Sequence, residues 1–360
     1  MTSGERLVAG CMTGTSLDAI DAAVVRIRGA GLAMLAELTA FATRDLGAIG
    51  ERLRALASGE AMNADAIAGL SRAFSLQVAE VIAEAAGENK LDLVCVHGQT
   101  VFHEPPVSWQ LLTPAVIAER LGSDVVSDLR AADLAAGGQG APITPIADWV
   151  LYAGSKARAI VNLGGFVNIT LLPANGTGSV DDVHGFDVCP CNLALDLAAR
   201  LGMDCAFDEG GARALRSAAD ETVIASLLEH VAREGESLGS ASAWTDVVRC
   251  SLERGVDAGV VARSVCAAVA RTIDRRVPRS CAVHLAGGGA RNGALVEELA
   301  SARGLQPGLT DEIGVPGYAR EAAAMALLGA LCADGVPITL PEVTGCRRPA
   351  PVAGVWSRKP

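Results

Sequence analysis

Arg6-Leu7-Val8-Ala9-Gly10-Cys11-Met12-Thr13-Gly14-Thr15-Ser16-Leu17-Asp18, followed by Ala22-Ala23-Val24-Val25-Arg26-Ile27, is the stretch on which the fold turns. Residues 6–12 are an apolar run of the kind that forms a buried strand. Met12–Asp18 is a polar turn of small residues, and residues 22–27 read as the returning strand. Leu32–Ala40 offers a third strand. The pattern comes back in the second half of the chain: Ala159–Leu163, then Gly164-Gly165, then Val167–Leu172. This is an internal repeat of topology rather than identity, with each half opening on a hairpin whose turn is small and polar.

The intervening segments alternate in type. Ile67, Leu70, Phe74, Val78, Val81 and Ile82 fall at helical spacing and predict a helix over 63–86. Leu91–Val96 is a short strand ending at His97-Gly98-Gln99-Thr100. Thr113-Pro114 suits the cap and first turn of a helix reaching about Leu121. Val125-Val126 is a strand that delivers Ser127-Asp128. Ala136-Gly137-Gly138-Gln139-Gly140-Ala141-Pro142 breaks the chain and reads as a crossing between domains. Helices are expected near 192–201, 220–233 and 258–275. A strand over 282–285 runs into Gly287-Gly288-Gly289, a helix opens near Asn292, and a last helix covers about 319–333. Hairpins mixed with βα units give an α/β class with mixed sheets.

Composition narrows the function classes. With 360 residues, half of them hydrophobic, two domains are favoured over one. The expected division is 1–132 plus 336–360 against 133–335. A formal charge of −11 argues against a nucleic-acid partner but not against a nucleotide, because backbone N–H groups can hold phosphates. The sequence shows no obvious span or signal peptide, so the expectation is a cytoplasmic protein with no membrane partner. Ten scattered cysteines read as free thiols, and Cys189-Pro190-Cys191 lacks the second pair that a zinc site needs. Walker, Rossmann and serine-hydrolase signatures are all missing.

Several constellations could carry chemistry. Gly14-Thr15-Ser16 is a turn that lets phosphates approach backbone and hydroxyls. Asp18 beside it could hold a magnesium ion through water. Taken alone, it reads sooner as an ordinary hairpin turn. Gly287-Gly288-Gly289 follows a strand and suits close packing of a flat nucleoside, with Asn292 capping the next helix. Asp187, in Gly185-Phe186-Asp187, is placed to accept a proton from a hydroxyl or water, or simply to cap a turn. Gln99, Thr100 and Arg130 follow short strands, where ligand groups gather in α/β sheets.

Taken together, these motifs resemble the anhydro-N-acetylmuramic acid kinase family. The matching segments are Gly14–Asp21, His97–Pro105, Gly137–Pro142, Asn162–Asn168, Gly185–Asp187, Gly287–Asn292 and Leu340–Gly345, in family order across nearly the whole chain. The resemblance implies a two-domain actin-like ATPase (ribonuclease H-like) fold, ATP with magnesium, and a homodimer. It implies that water opens the anhydro bridge of the sugar while the freed 6-oxygen takes the γ-phosphate. The product is N-acetylmuramic acid 6-phosphate, in peptidoglycan recycling. By match to the motifs, Asp187 would activate that water. Gly14, Thr15, Ser16, Leu17, Asp18, Ala19, Ile20 and Asp21 would hold the phosphates together with Gly164 and Gly165. Gly287, Gly288, Gly289 and Asn292 would face the nucleoside, and Arg130 and Glu321 would contact sugar.

The chain departs from the family pattern in places. The family usually has Asp-Thr-Gly-Pro-Gly-Asn where this chain has Asp187-Val188-Cys189-Pro190-Cys191-Asn192. Two cysteines therefore add side chains where backbone would approach ligand. Ala19 replaces a usual glycine, Arg130 is followed by Ala131-Ala132 in place of an arginine-rich run, and a Pro-Lys-Ser-Thr-Gly segment is reduced to Glu236–Ser242. These changes keep two other readings open: a relative that phosphorylates another anhydrosugar or specialised metabolite, and a non-catalytic nucleotide or sugar binder.

Overall fold

The computed structural model describes residues 4–14, 17–175, 178–231, 242–348 and 350–360. The chain divides into two compact units, Met1–Tyr152 with Ala319–Pro360, and Ala153–Tyr318.

In the first unit β1 (Glu5–Thr13), β2 (Ala19–Arg28) and β3 (Leu35–Asp45) form an antiparallel meander. β4 (Leu93–Val96) joins β1 in parallel. A separate hairpin of β5 (Gln99–Glu104) and β6 (Val107–Leu111) follows, and β7 (Val125–Ser127) lies parallel to β4. In the second unit β8 (Arg158–Leu163), β9 (Phe166–Leu172) and β10 (His184–Pro190) repeat the meander. β11 (Ala282–Ala286) and β12 (Gly308–Leu309) add in parallel. The order is β3-β2-β1-β4-β7 in one sheet and β10-β9-β8-β11-β12 in the other. Each is the 3-2-1-4-5 order of the ribonuclease H fold, and its duplication in one chain is the actin-like ATPase architecture. The sequence does not announce β5, β6, β10, β12 or β13 (Val355–Ser357), the last of which pairs with the outer edge of β7 and makes the first sheet six-stranded.

Apolar periodicity places the helices. The Ala64–Ala86 helix starts at Asn63, whose side chain accepts from the Ala66 N–H at 2.8 Å. It lays Leu70, Phe74, Val78, Val81 and Ile82 into the first core. Each such side chain contributes about 1.5–3 kcal/mol relative to exposure. Among the described residues it is the one helix long and apolar enough to cross a membrane, and it spends that apolar face on β1–β3. The second core is built on the Asn192–Gly202 and Ala258–Arg276 helices.

Three expectations are corrected. The unit boundaries fall at 152/153 and 318/319, so residues 133–152 and 319–335 belong to the first unit. The reason is the Arg320–Ala333 helix, which packs at backbone distance on β1. A Cβ on Gly10 would stand 2.0 Å from the Ala322 carbonyl oxygen and 2.2 Å from the Ala326 nitrogen. Arg320 also pairs with buried Asp148 through both Nε and Nη2. The 136–142 segment is accordingly no crossing. Asp133 ties it down by accepting from the Gly140 N–H at 2.7 Å and from Thr344 Oγ1 at 2.8 Å. Finally, the helix expected over 220–233 is Glu221–Leu228.

Candidate functional site

In the first unit the turn after β1 closes with the Leu17 N–H donating to the Gly14 carbonyl at 3.1 Å, Leu17 taking φ 57°. Thr15 and Ser16 lie outside the described residues. Leu17 and Ile20 point into the core, so only their backbones could serve a ligand. Asp18 is largely exposed. Arg54, from the Gly47–Ala57 helix, braces the turn by donating to the Leu17 carbonyl at 2.9 Å and to Asp18 Oδ1 at 3.4 Å. Asp21 stands opposite Thr43 on β3, and burial raises its carboxyl pKa while the Thr43 hydroxyl opposes that rise.

Of the sugar-side candidates in the same unit, Arg130 is held by His97. The His97 Nδ1 lies 2.8 Å from the Gly98 carbonyl and so carries the proton. That leaves Nε2 to accept from Arg130 Nε at 3.1 Å. Arg130 Nη1 donates to the Gly140 carbonyl at 2.6 Å. Burial and the adjacent guanidinium push the imidazole pKa down to about 3, so the ring stays neutral and keeps its tautomer. Gln99 is buried, its Oε1 accepting from Thr13 Oγ1 at 2.5 Å. Thr100 is half-buried, and its Oγ1 accepts from Gln110 at 3.3 Å. Glu321 is half-buried in the first turn of the Arg320–Ala333 helix. Thr113 makes no side-chain cap, because its hydroxyl bonds Ser71 Oγ at 2.8 Å instead.

In the second unit three predicted elements converge. The Gly164 and Gly165 carbonyls accept from the N–H groups of Asn192 and Cys191 at 3.1 and 2.8 Å, fixing the β8–β9 turn against the start of a helix. The Gly287–Gly289 turn presses on the end of β8: a Cβ on Gly289 would meet Leu163 Cβ at 2.8 Å and Asn192 Oδ1 at 3.1 Å. Gly288 has nothing nearer than 3.7 Å, which makes it the open face of that turn. Asn292 spends its Oδ1 capping the Gly293–Arg303 helix, accepting from the Leu295 N–H at 3.1 Å. Asp187 lies on β10, not in the junction expected before the 192 helix, and is half-buried. Asn168 Nδ2 donates to its Oδ1.

The neighbouring cysteines do not enter this site. Cys189 and Cys191 are fully buried in the hydrophobic core, and burial holds both thiol pKa values well up. Cys191 Sγ donates to Asn192 Oδ1 at 3.7 Å from within that core. The reduced segment at 236–242 lies almost wholly outside the described residues. Sequence reasoning missed Arg54, the neutral His97 lock and the pairing of Asn168 with Asp187. It also missed residues 310–317 beside Gly287, where the buried Thr310 Oγ1 has no hydrogen-bond partner among the described residues. The Gly314-Val315-Pro316-Gly317 run was the available signal there.

The sequence profile of the anhydro-N-acetylmuramic acid kinase family matches residues 6–357. The chain is also 37% identical to the anhydro-N-acetylmuramic acid kinase of Bordetella pertussis, over 95% of this chain and 93% of that protein. The chain belongs to the anhydro-N-acetylmuramic acid kinase family. The family's namesake from Parasynechococcus marenigrum is 35% identical, with 96% and 97% of the two chains covered. Among solved structures, the ADPNP-bound activator of the 2-hydroxyisocaproyl-CoA dehydratase from Clostridium difficile resembles this chain at 16% identity. That match covers 90% of this chain and 94% of the activator, with a TM-score of 0.45.

Proposed function

We propose that this protein is an ATP-dependent kinase that opens the anhydro ring of 1,6-anhydro-N-acetylmuramic acid and phosphorylates its 6-oxygen, yielding N-acetylmuramic acid 6-phosphate for peptidoglycan recycling. Beyond family membership, the observation that carries the reading is in the second unit. A half-exposed carboxylate, Asp187, stands on the same sheet as two glycine turns that approach each other at backbone distance. That combination offers a proton acceptor and surfaces on which phosphate and nucleoside can lie close to the main chain.

In this reading Asp187 takes a proton from water as the water oxygen bonds to the anomeric carbon. The bond from that carbon to the 6-oxygen breaks, and the 6-oxygen takes the γ-phosphoryl group, releasing ADP. Arg130, held by His97 and Gly140, suits the carboxylate of an acidic sugar. Exposed Asp18 fits a magnesium ion that arrives with the nucleotide and is reached through water. Such an ion would neutralise charge on the phosphates. Arg54 keeps the turn in shape beside it. A cytoplasmic homodimer completes the reading, supported by the family resemblance. The reading of a changed substrate loses its main motive, since Cys189 and Cys191 are packed in the core.

ADP release coupled to the muramic sugar tests the proposal. Turnover is expected with wild type, and Asp187→Asn should reduce kcat by about 10³-fold, the scale of a lost general base. An intact, ATP-binding wild type that leaves the sugar untouched refutes the function. Activity indifferent to Asp187→Asn refutes the base.

A further inference from the structure

A polar row crosses the second sheet. Asn162 on β8, Asn168 on β9 and Asp187 on β10 are register partners, so their side chains stand on one face. Along β9 the flanking Val167 and Ile169 turn to the opposite face, into the core. Asparagine is a poor strand former, and here it sits mid-strand with its amide on a carboxylate. The amide's orientation follows from charge: only its N–H end can face an ionised carboxylate.

The backbone around Asp187 is immobilised from the far side. Register slips immediately after it, pairing Asp187 with Asn168 and then Cys189 with Val167, and Val188 is the extra residue. Val188, Cys189 and Cys191 are all fully buried. A bulge of this kind re-aims the side chain next to it. With the main chain clamped, the remaining freedom of Asp187 is rotation of its own side chain, and Asn168 acts on that rotation.

The first unit uses the same device with different residues. Asp21 is the third residue of β2 as Asn168 is of β9, and its register partner on the third strand is Thr43, whose hydroxyl favours the charged carboxylate. A hydroxyl can therefore serve as donor across this strand pair.

We infer that Asn168 is a positioning residue for Asp187: its amide holds one carboxylate oxygen and fixes the direction in which the carboxylate meets its water. This rests on the reading of Asp187 as the base. The test compares Asn168→Leu, which removes the donor, with Asn168→Thr, which puts a hydroxyl donor back at the same position. With ATP and 1,6-anhydro-N-acetylmuramic acid, Asn168→Leu should lose about 10²-fold in kcat, the cost of a misaligned group, while calorimetric ADP affinity stays within about threefold. Asn168→Thr should recover most of the loss. An undiminished kcat in Asn168→Leu, or equal losses in both variants, overturns the inference.

A second measurement does not depend on turnover. The 13C carboxyl resonance of Asp187, assigned through Asp187→Asn, should move in Asn168→Leu and stay near its wild-type position in Asn168→Thr. No movement in Asn168→Leu overturns the inference even if the sugar proves to be wrong. Wild type inactive on the sugar, with the resonance moving as expected, refutes the function and leaves the pairing standing.

Discussion

The two hairpins that open the two units share a topology and divide the chemistry differently. In the first, the carboxylate of the cross-strand pair is Asp21 on the second strand, half-buried and held by Thr43. In the second, it is Asp187 on the third strand, held by Asn168 and followed by a bulge. The turns differ as well. The first closes on Leu17 at positive φ and is braced by an arginine from a neighbouring helix. The second is two glycines whose carbonyls receive the first N–H groups of the following helix. A duplicated scaffold thus fixes where polar pairs can stand. The strand that carries the acid differs, and so does the register shift, which falls directly after Asp187 but three residues beyond Asp21.

The central strands provide the sharpest way to break the comparison. Gly10 on β1 lies against helix backbone, whereas Ile160, equally far from the end of β8, is a fully buried large side chain. Gly10→Val should cost at least about 3 kcal/mol, because the atoms in its way are main chain. The transition midpoint in a thermal melt should fall by roughly 5–10 °C. Ile160→Val should cost only about 1 kcal/mol. Equal costs would mean that the helix can move off β1.

Next in size is Gly287→Ala. Gly287 has φ 80° and ψ 172°, a region that side-chain-bearing residues avoid, and a Cβ would stand 2.7 Å from Asn162 Oδ1 and 2.9 Å from the Leu163 carbonyl. A loss of about 2 kcal/mol in stability is expected, with weaker ATP binding in calorimetry. Gly288→Ala has room and should leave stability alone while lowering ATP affinity. If affinity is untouched there, the nucleoside lies elsewhere.

Hairpins were legible because a strand's apolar run and a small polar turn are local signals, and both units open on them. The unit boundary was not. The Arg320–Ala333 helix is buried on nearly every face, so its sequence does not say which sheet it covers, and Gly10 is a trace readable only once the contact is known. Their place in a motif points Leu17 and Ile20 at the ligand, yet their side chains belong to the core. Cys189 and Cys191 looked disruptive for the converse reason: a glycine-to-cysteine change in sequence does not reveal on which side of the strand the new side chain falls. Asn168 was inside a quoted motif, but a cross-strand partner about twenty residues away is a long-range fact that no local pattern encodes.

The smallest expected effect probes the pair in the first unit. Asp21 has its pKa raised in the folded protein, chiefly by burial, with the Thr43 hydroxyl pulling the other way. A carboxyl whose pKa is higher folded than unfolded favours the folded state while protonated. Its contribution is therefore lost as pH rises from the ordinary aspartate value through the folded one. Thr43 limits that loss by stabilising the charged form. Thr43→Val removes the hydrogen bond without changing the shape much, so the folded pKa should climb further and the carboxylate should be less well tolerated at neutral pH. The expected cost is about 1 kcal/mol at about pH 7, the worth of one hydrogen bond at a partly exposed group. It should shrink towards zero below the ordinary aspartate pKa, where the carboxyl is protonated in both states. Urea unfolding of wild type and variant at both pH values measures the difference directly. A cost that is the same at both would mean that Thr43 acts through packing. The resemblance between Thr43–Asp21 and Asn168–Asp187 would then be one of position and not of chemistry.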